Sequence, residues 1–416
     1  MIVVAFVGGG IAYVLLSGQE QSSEPIRIGI LADLDYTEGK ALWQEALLAA
    51  EQINSKGGIL GREIEIVAED DDIETGIDPN IANLAITKLI TVDKVDYIIS
   101  YGGSISYGYM DFASNHKKII FEAYGNKDEI TQRVLDDYDK YKYYFKCGFV
   151  NSTITDAFTI DAIKVLREYT GFNKIAFLSP IIVNKQEMAD TLTDEGFEVV
   201  YLGQFPLDCI DFTSYFAQAE AAGAEIVYPT TIGQFSVIFV KEWYERQSPT
   251  VIWGGLFGAD KQSFWDSTDG KCETTSLAVA PTQVGYPITT KTIAFCDAYT
   301  ERWGEDPTSA VCYDIVRYVL PDAIERAGTT ETEAVIKTLE TTEIETSHAK
   351  KFAFSKSHDI LVGEIGLGNP DTEHHFACLF QWQNGELVPV YPKSIMEEAG
   401  VTYTFPDWPG PWDNID

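Results

Sequence analysis

Three short runs contain residues whose types and spacing could do chemistry. They are Gly-Gly-Ser-Ile-Ser at 102–106, an acidic run at 70–72 and a His-His pair at 374–375. The first nearly matches the G-x-S-x-G turn of hydrolases, but it lacks the last glycine, and the nearest histidine, His116, falls in the next predicted helix. The second, continued by Glu74, lacks the glycine and the final glutamate of a calcium loop. The histidine pair lacks the i, i+4 spacing and the acidic partners of a metal site, so the sequence predicts no catalytic or metal centre.

Composition excludes further classes of protein. The chain of 416 residues carries a net charge of −34 with 45% hydrophobic residues. This length and composition are sufficient for two globular domains. The acidity disfavours nucleic acid and anionic membranes as partners, and its even spread along the chain favours a role in solubility. No P-loop occurs and no G-x-G-x-x-G follows the first predicted strand, so no nucleotide cofactor is predicted.

The amino terminus differs from the rest of the chain. Residues 2–16 carry no charge, and the polar run SGQEQSSEP follows at 17–25. The absence of an A-x-A-like site after the apolar run and of a nearby cysteine favours a retained membrane anchor. A cleaved signal and a filament-forming hydrophobic helix are the alternatives. Each of them places residues 26–416 outside the cytoplasm.

The cysteines show no metal-binding pattern. They are scattered, without a C-x-x-C motif: Cys147, Cys209, Cys272, Cys296, Cys312 and Cys378. A zinc site is therefore not predicted. Outside the cell some of them could pair, and others are expected to be small buried apolar residues, but the sequence does not choose among the connectivities.

Strand-like and helix-like patterns alternate from residue 26 to residue 255. Apolar runs such as IRIGIL (26–31) are typical of parallel strands that are covered on both faces. Helical periodicity separates them, as in ALWQEALLAAEQINSK (41–56), where Gly57 and Gly58 follow as the predicted C-cap. This order predicts an α/β fold with parallel sheets and a break near 146–152. Consecutive helices follow over 291–342.

The carboxyl-terminal part is predicted to contain a β-hairpin. The sequence QNGE at 383–386 separates two apolar alternations within 374–392, and Asn-Gly is typical of a two-residue hairpin turn. The tail at 393–416 is rich in Pro and Trp and is acidic. It could pack on the protein or bind a partner.

These motifs, taken in order, resemble a known family. The phrases INSKGGILGREIEIVAEDDD (53–72), YIISYGGSIS (97–106), FTIDAIKVLREYTGFNKIAFLS (158–179) and RWGEDPTSAVCYDIVRYVLPDAIERAG (302–328) resemble the type I periplasmic binding proteins. The nearest subgroup is the Leu/Ile/Val-type amino-acid, amide and urea receptors of ABC importers. The resemblance covers roughly residues 26–392.

The resemblance implies two doubly wound parallel-sheet lobes joined by a three-strand hinge. The ligand would lie between the lobes, at the carboxyl ends of the strands. Lobe one is expected at 26–148 and 285–350, and lobe two at 149–284 and 351–392. The remaining segments are the amino-terminal anchor or signal with its linker at 1–25 and the tail at 393–416.

The family pattern also implies ligand contacts in lobe one. Ser104 and Ser106 would hold a ligand carboxylate or carbonyl at a helix N-terminus, where helix N-capping is their alternative role. Tyr124 and Asn126 would supply a backbone carbonyl and a polar side chain. Tyr107 could line the pocket or pack within its own lobe.

Lobe two departs from the amino-acid receptors. Asn151 and Leu256 fall where those receptors carry acids that neutralise the ligand ammonium. An unpaired buried ammonium is costly, so a neutral amide or urea would suit this pocket. The remaining candidates are neutral residues that can stack or form hydrogen bonds: Tyr101, Asn184, Thr231 and Trp43. Alternatively the ligand is an amino acid whose ammonium meets another acid, chosen from Asp33, Asp35, Glu122 and Asp260.

The function that the resemblance implies is capture of a solute by lobe closure. Lobe one would bind first, and lobe two would close about hinges near 147–151, near 281–285 and before 374. The closed form would dock on an ABC permease in the membrane. Two alternatives remain: a ligand-sensing receptor ectodomain, and a structural protein that displays binding lobes on a filament.

Overall fold

The computed structural model describes residues 24–72, 79–103, 105–125, 127–148, 152–366, 368 and 370–415, with the backbone of 3–7 and 10–14. At the amino terminus, β1 (Val3–Val7) and β2 (Gly10–Val14) pair as an antiparallel two-stranded sheet. Within the part of the chain that is described, no helix is both long and apolar enough to cross a membrane. The side chains of 1–23 lie outside the described residues, so the anchor stays a prediction.

The first lobe is built on a five-stranded parallel sheet. Its strands are β3 (Ile26–Ala32), β4 (Ile64–Asp70), β5 (Tyr97–Ser100), β6 (Ile119–Glu122) and β7 (Tyr144–Lys146). The connecting helices are α1 (Thr37–Asn54), α2 (Pro79–Thr91), α3 (Ser106–His116), α4 (Asp128–Asp136) and α5 (Tyr138–Tyr141). The strand order is β4-β3-β5-β6-β7. The winding therefore reverses at β3, which has β4 on one side and β5 on the other.

The second lobe repeats the alternation of helix and strand. Its helices are α6 (Ser152–Thr170), α7 (Gln186–Asp194), α8 (Thr213–Ala221), α9 (Gln234–Arg246) and α10 (Gln262–Ser267). Its first strands are β8 (Lys174–Pro180), β9 (Glu198–Phe205), β10 (Ile226–Ile232), β11 (Val251–Phe257) and β12 (Ser276–Val279). Here β8 lies between β9 and β10, so this sheet reverses its winding at β8.

After β12 the chain returns to the first lobe. A 3₁₀ turn (Pro281–Val284) precedes this crossing. The elements of the first lobe that follow it are α11 (Thr292–Trp303), α12 (Val311–Asp314), a π-helical turn (Ile315–Val319), α13 (Leu320–Ala327), α14 (Thr332–Leu339), β13 (Glu343–Ile344) and β14 (Phe352–Ala353). The consecutive helices agree with the sequence prediction. Pro321, which has no backbone N–H to donate, lies just after the π-helical turn, where regular i−4 hydrogen bonding is already interrupted.

The predicted hairpin completes the second sheet. It consists of β15 (Cys378–Gln383) and β16 (Glu386–Tyr391), paired antiparallel. Asn384 and Gly385 have φ values of 54° and 82°, as an Asn-Gly hairpin turn requires. The seven strands lie in the order β16-β15-β12-β11-β10-β8-β9, and β15 runs antiparallel to β12. The second sheet is therefore mixed at this edge and parallel elsewhere.

The chain crosses between two separate hydrophobic cores three times. Cys147 belongs to the first core and Phe158 to the second, Ile288 to the second and Phe295 to the first, and Ile360 to the first and Phe376 to the second. These three crossings are the hinge that the fold implies. Phe352 and Phe354 also pack in the first core, whereas the sequence division assigned 351–392 to lobe two. This difference arises because β14 pairs with β13 beside the first sheet.

The Trp-rich tail packs on the second lobe. After α15 (Lys393–Ala399), the last element of the described chain is a 3₁₀ turn (Pro411–Asn414). Trp408 and Trp412 are buried in the second core. The Trp408 indole donates to the Ser248 carbonyl at 2.9 Å. Of the two roles that the sequence left open for the tail, the structure shows packing on a lobe.

Candidate functional site

Each sheet has a crevice where its winding reverses. In lobe one the crevice lies between the carboxyl ends of β3 and β5, and in lobe two between those of β8 and β10. Open α/β sheets bind small ligands at such points, outside the carboxyl ends of the strands. Loops 33–36 and 101–103 border the first crevice, and loop 181–185 borders the second.

Three tyrosines lie together at the first crevice. The ring centroid of Tyr101 is 6.4 Å from that of Tyr36 and 5.1 Å from that of Tyr124. Burial is the main reason that the pKa of Tyr124 lies well above its ordinary value, and the hydroxyls of Ser309 and Thr308 interact with its phenol group. The structure thus brings the predicted Tyr101 and Tyr124 together and adds Tyr36. Such rings offer apolar faces and a polar edge to a ligand.

A buried carboxyl group lies beneath the turn that follows β5. Glu122, the last residue of β6, is 1% exposed. Its Oε1 accepts hydrogen bonds from the Ser106 hydroxyl at 2.5 Å and from the Gly103 N–H at 3.3 Å. Burial raises the pKa of Glu122, while the Ser106 hydrogen bond and the charge of Lys146 act in the opposite direction. The Ser106 hydroxyl, predicted to meet the ligand, is therefore engaged inside the lobe.

Two glycines allow the backbone to close over this carboxyl group. A Cβ atom on Gly102 would lie 2.2 Å from Glu122 Oε1, and one on Gly125 only 1.5 Å from the same atom. Gly102 also has a φ of 97°, which favours glycine. The turns after β5 and β6 therefore meet at Glu122. A side chain at either glycine would force Glu122 to move.

Gly125→Ala is expected to lower the free energy of unfolding by about 1–3 kcal/mol, the usual cost of overpacking. The added methyl group would overlap Glu122 Oε1. Gly108→Ala is the matched control. Gly108 lies on helix α3, and a Cβ atom there would meet only Asn83 Oδ1, at 3.9 Å. The control should be neutral or stabilising by up to about 1 kcal/mol. Urea denaturation measures both variants, and equal stabilities would contradict this account of the turn.

Tyr107 contacts basic residues of its own lobe. The Arg133 guanidinium carbon lies 4.4 Å from the Tyr107 ring centroid, and Lys127 Nζ lies 5.4 Å from it. Of its two possible roles, this contact favours packing within lobe one. Ser104, Asn126 and Asn151 lie outside the described residues, and their ligand roles stay predictions.

The three described residues among those predicted for lobe two have different environments. Asn184 is exposed, and its Oδ1 accepts the Gln186 N–H at 2.9 Å. Thr231 is 3% exposed and shares a hydrogen bond of 2.9 Å with the Ser236 hydroxyl. Leu256 packs in the second core. Of these three residues, only Asn184 is exposed, and it lies in the loop that follows β8.

A polar group in lobe two was not predicted from the sequence. Lys185 Nζ lies 5.4 Å from the Tyr228 ring centroid. Partial burial lowers the pKa of Lys185 and raises that of Asp156, while the charge of each opposes the shift of the other. A small cavity of about 140 Å³ adjoins Lys185 and Asn184. Only their positions could have identified these two residues from the sequence, because Lys185 ends the loop after β8 and Asp156 lies near the start of α6.

Direct hydrogen bonds also join the two lobes. The Ser152 hydroxyl at the start of α6 donates to Asp128 Oδ2 at 2.6 Å. Lys261, in the loop after β11, donates to the Pro307 carbonyl at 3.1 Å. These contacts position the amino end of α6 and the β11 loop against lobe one.

The described residues offer no metal centre. In that part of the chain, no group of three or more His, Cys, Asp or Glu residues is arranged to hold a metal ion. The six cysteines are free, and five of them are buried, so this conformation contains no disulfide bond.

The sequence and fold match known binding proteins. The model of the periplasmic binding protein family matches residues 25–364. A Leu/Ile/Val-binding protein homolog 7 from Brucella abortus is 27% identical over 83% of this chain and 85% of its own length. A branched-chain amino acid ABC transporter candidate from Silicibacter pomeroyi has a TM-score of 0.76 and 19% identity, covering 92% of this chain and 100% of that one. The substrate-binding protein LivJ from Streptococcus pneumoniae, solved with isoleucine, has a TM-score of 0.67 and 18% identity, covering 88% and 99%.

The chain belongs to the periplasmic binding protein family. It has the two-lobed α/β fold of its structural neighbours. Proteins of this family bind solutes rather than catalyse reactions, and they lie outside the cytoplasm. The predicted fold class and family are thereby confirmed.

Proposed function

We propose that the protein captures a small polar solute between its lobes and delivers it to the permease of an ABC importer. The observation that carries this proposal is the pair of crevices at the winding reversals of both sheets, linked by three chain crossings. A ligand held at one crevice would be covered by the other when the hinge closes. The proposed location is outside the cytoplasm, with the amino terminus as a tether to the membrane.

The lobe-one crevice is the proposed first contact. Tyr36, Tyr101 and Tyr124 supply a wall of rings on which an apolar group can stack. The predicted contacts Ser104 and Asn126 follow β5 and β6 in the sequence. Closure would add Asn184 and Lys185 from the loop after β8, and exclusion of water would strengthen each polar contact.

Two classes of ligand remain candidates. Neutral amino acids such as leucine are supported by the Leu/Ile/Val-binding relative. Neutral amides and urea are supported by a specific observation, namely that the Ser106 hydroxyl and the Gly103 N–H are already engaged by Glu122. Those donors would otherwise suit a ligand carboxylate.

Calorimetric titration of the purified protein with leucine, acetamide and urea tests the proposal. We expect at least one of the three to bind and Tyr101→Ala to weaken that binding at least tenfold, about 1.4 kcal/mol. Tyr169→Ala is the control, because Tyr169 is 41% exposed near the end of α6, away from the amino end that faces lobe one. If none of the three solutes binds, the proposed solute class is wrong. If the Tyr101→Ala and Tyr169→Ala variants bind equally well, the proposed site is wrong.

A further inference from the structure

Asp156 lies on α6 where the two lobes meet. The Ser152 hydroxyl, one turn earlier on this helix, donates to Asp128 Oδ2 of lobe one at 2.6 Å, and the Thr153 hydroxyl donates to the same atom at 3.3 Å. Residues four positions apart on a helix share a face, so Asp156 lies on the face of α6 that turns toward lobe one. The charge of Asp128 acts on Asp156 from the other lobe. Asp156 is therefore a side chain of the cleft, on its lobe-two side.

Within the described chain, the carboxyl group of Asp156 has no direct partner. Lys185, Glu187 and Asp128 act on it through their charges, and none of these three donates a hydrogen bond to it. The ammonium of Lys185 instead lies against an aromatic ring, with Nζ 5.4 Å from the centroid of Tyr228. Asp156 is half-buried, so its carboxyl group is partly desolvated without a contact that compensates for the lost water.

The Asp156 carboxyl group is ionised at neutral pH. Partial burial raises its pKa from 3.8, the charge of Lys185 opposes this rise, and the charges of Glu187 and Asp128 add to it. A carboxyl group that is only half-buried and lies near an ammonium keeps its pKa below neutral pH. Asp156 and the described groups that act on it comprise three carboxylates and one ammonium, so the potential at this point of the cleft favours a cation.

The other acids that could meet a ligand ammonium are engaged or exposed. Asp33 Oδ1 accepts the N–H groups of Asp35 and Tyr36 at 3.1 and 3.2 Å. Glu122 is buried beneath the turn that follows β5. Asp260 lies 3.5 Å from the ammonium of the lysine that follows it. Asp35 is exposed, where an ion pair contributes little. Asp156 is therefore the best placed of these carboxyl groups.

We infer that Asp156 accepts the ammonium group of the captured solute, and that the solute therefore carries a protonated amine. Such a group would supply the ion pair that Asp156 lacks, within the negative potential of Asp128 and Glu187. Lobe closure would exclude water and strengthen this contact. A neutral amide or urea would leave the carboxylate unpaired. The inference rests on the proposed function, and it narrows the two ligand classes proposed there to compounds with an amino group.

The test uses two pairs of ligands that differ only in the amino group. Leucine is compared with isocaproate, and glycinamide with acetamide, by calorimetric titration of the full chain at neutral pH. We expect the wild-type protein to bind the amine of at least one pair at least about tenfold more tightly than its partner. Asp156→Asn keeps the shape of the side chain, and we expect it to reduce that ratio at least about tenfold, because it removes one partner of a desolvated charge pair. Asp194→Asn is the control and should leave the ratio unchanged, because it removes an equal charge from an exposed side chain at the far end of α7.

The outcomes separate the inference from solute capture itself. If acetamide, isocaproate or urea binds at least as tightly as both amines, or if Asp156→Asn keeps the wild-type ratio, the inference is wrong and solute capture stands. An equal change in Asp194→Asn also overturns the inference, because net charge would then be the cause. If neither pair of ligands nor urea binds, both the inference and the proposed solute class are wrong. If Asp156→Asn does not fold, Glu187→Gln replaces it, since Glu187 is exposed and its charge acts on Asp156; we then expect a ratio reduced about two- to fivefold, and an unchanged ratio would overturn the inference.

Discussion

Lys146→Met is expected to lower the free energy of unfolding by about 3–5 kcal/mol, the usual cost of removing one partner of a buried ion pair. Lys146 and Asp359 side chains are 2% and 4% exposed, and Nζ lies 3.3 Å from Oδ1. The pair ties β7 to the segment before the third chain crossing, where the Lys146 N–H also donates to the His358 carbonyl. Removing the ammonium leaves the Asp359 carboxylate buried without its counter-ion. Urea denaturation at neutral pH measures the effect.

Two comparisons give this prediction its control. Lys40→Met removes one partner of an exposed pair, since the Lys40 and Glu305 side chains are 52% and 54% exposed, and it should cost less than about 1 kcal/mol. The double variant Lys146→Met, Asp359→Leu should recover much of the loss, because it leaves no unpaired charge. A loss in Lys146→Met no larger than that in Lys40→Met would show that the buried pair does not hold this segment.

Glu45→Gln is expected to remove a component of the pH dependence of stability. Glu45 is fully buried on α1 and accepts hydrogen bonds from the Ser309 hydroxyl at 2.9 Å and from the Cys312 and Tyr313 N–H groups at 3.0 and 3.1 Å. It thereby caps the amino end of α12. Burial raises the pKa of Glu45 from 4.5 to about 7, against the effect of these hydrogen bonds, and the charge of Asp314 adds to the rise.

The sign of the effect follows from linkage between protonation and folding. Because the folded-state pKa lies above the unfolded one, the contribution of Glu45 to stability is fully present below about pH 4.5 and is lost as the pH rises toward 7. The loss is on the order of 3 kcal/mol, at about 1.4 kcal/mol per pH unit. Over this window wild-type stability should therefore fall relative to Glu45→Gln. Denaturation curves from pH 4 to 8 measure the difference.

The exposed Glu51, on the same helix, supplies the control. Glu51→Gln removes an equal charge from a side chain that is 53% exposed and pairs with Arg302. Its free energy of unfolding should differ from that of the wild type by a nearly constant amount over the same range of pH. If the free energies of unfolding of wild type and Glu45→Gln change with pH in parallel, the assignment of this titration to Glu45 is wrong.

The alternation of elements was readable from the sequence because it depends on local patterns. The run IRIGIL predicted the strand now seen at Ile26–Ala32, and the glycines after the first helix have φ values of 99° and 75° at Gly57 and Gly58. Asn384-Gly385 likewise fixed the hairpin. Apolar periodicity and the sterics of positive φ act over a few residues, so a single sequence contains them. The family was identified from the resemblance of longer motifs, such as those at 53–72 and 302–328, to known binding proteins.

The tertiary structure alone decided which side chains reach the crevice. Ser106 and Leu256 were both placed in the site from the sequence, yet the first donates to a buried carboxyl and the second packs in a core. Glu122 was considered only as an acid that could meet a ligand ammonium, but residues 16 and 19 positions away in the chain bury it. Lys146 and Asp359 are 213 positions apart, and no local pattern pairs them. Such contacts depend on how the sheets wind and where the chain crosses between lobes, so they exist only in the folded molecule.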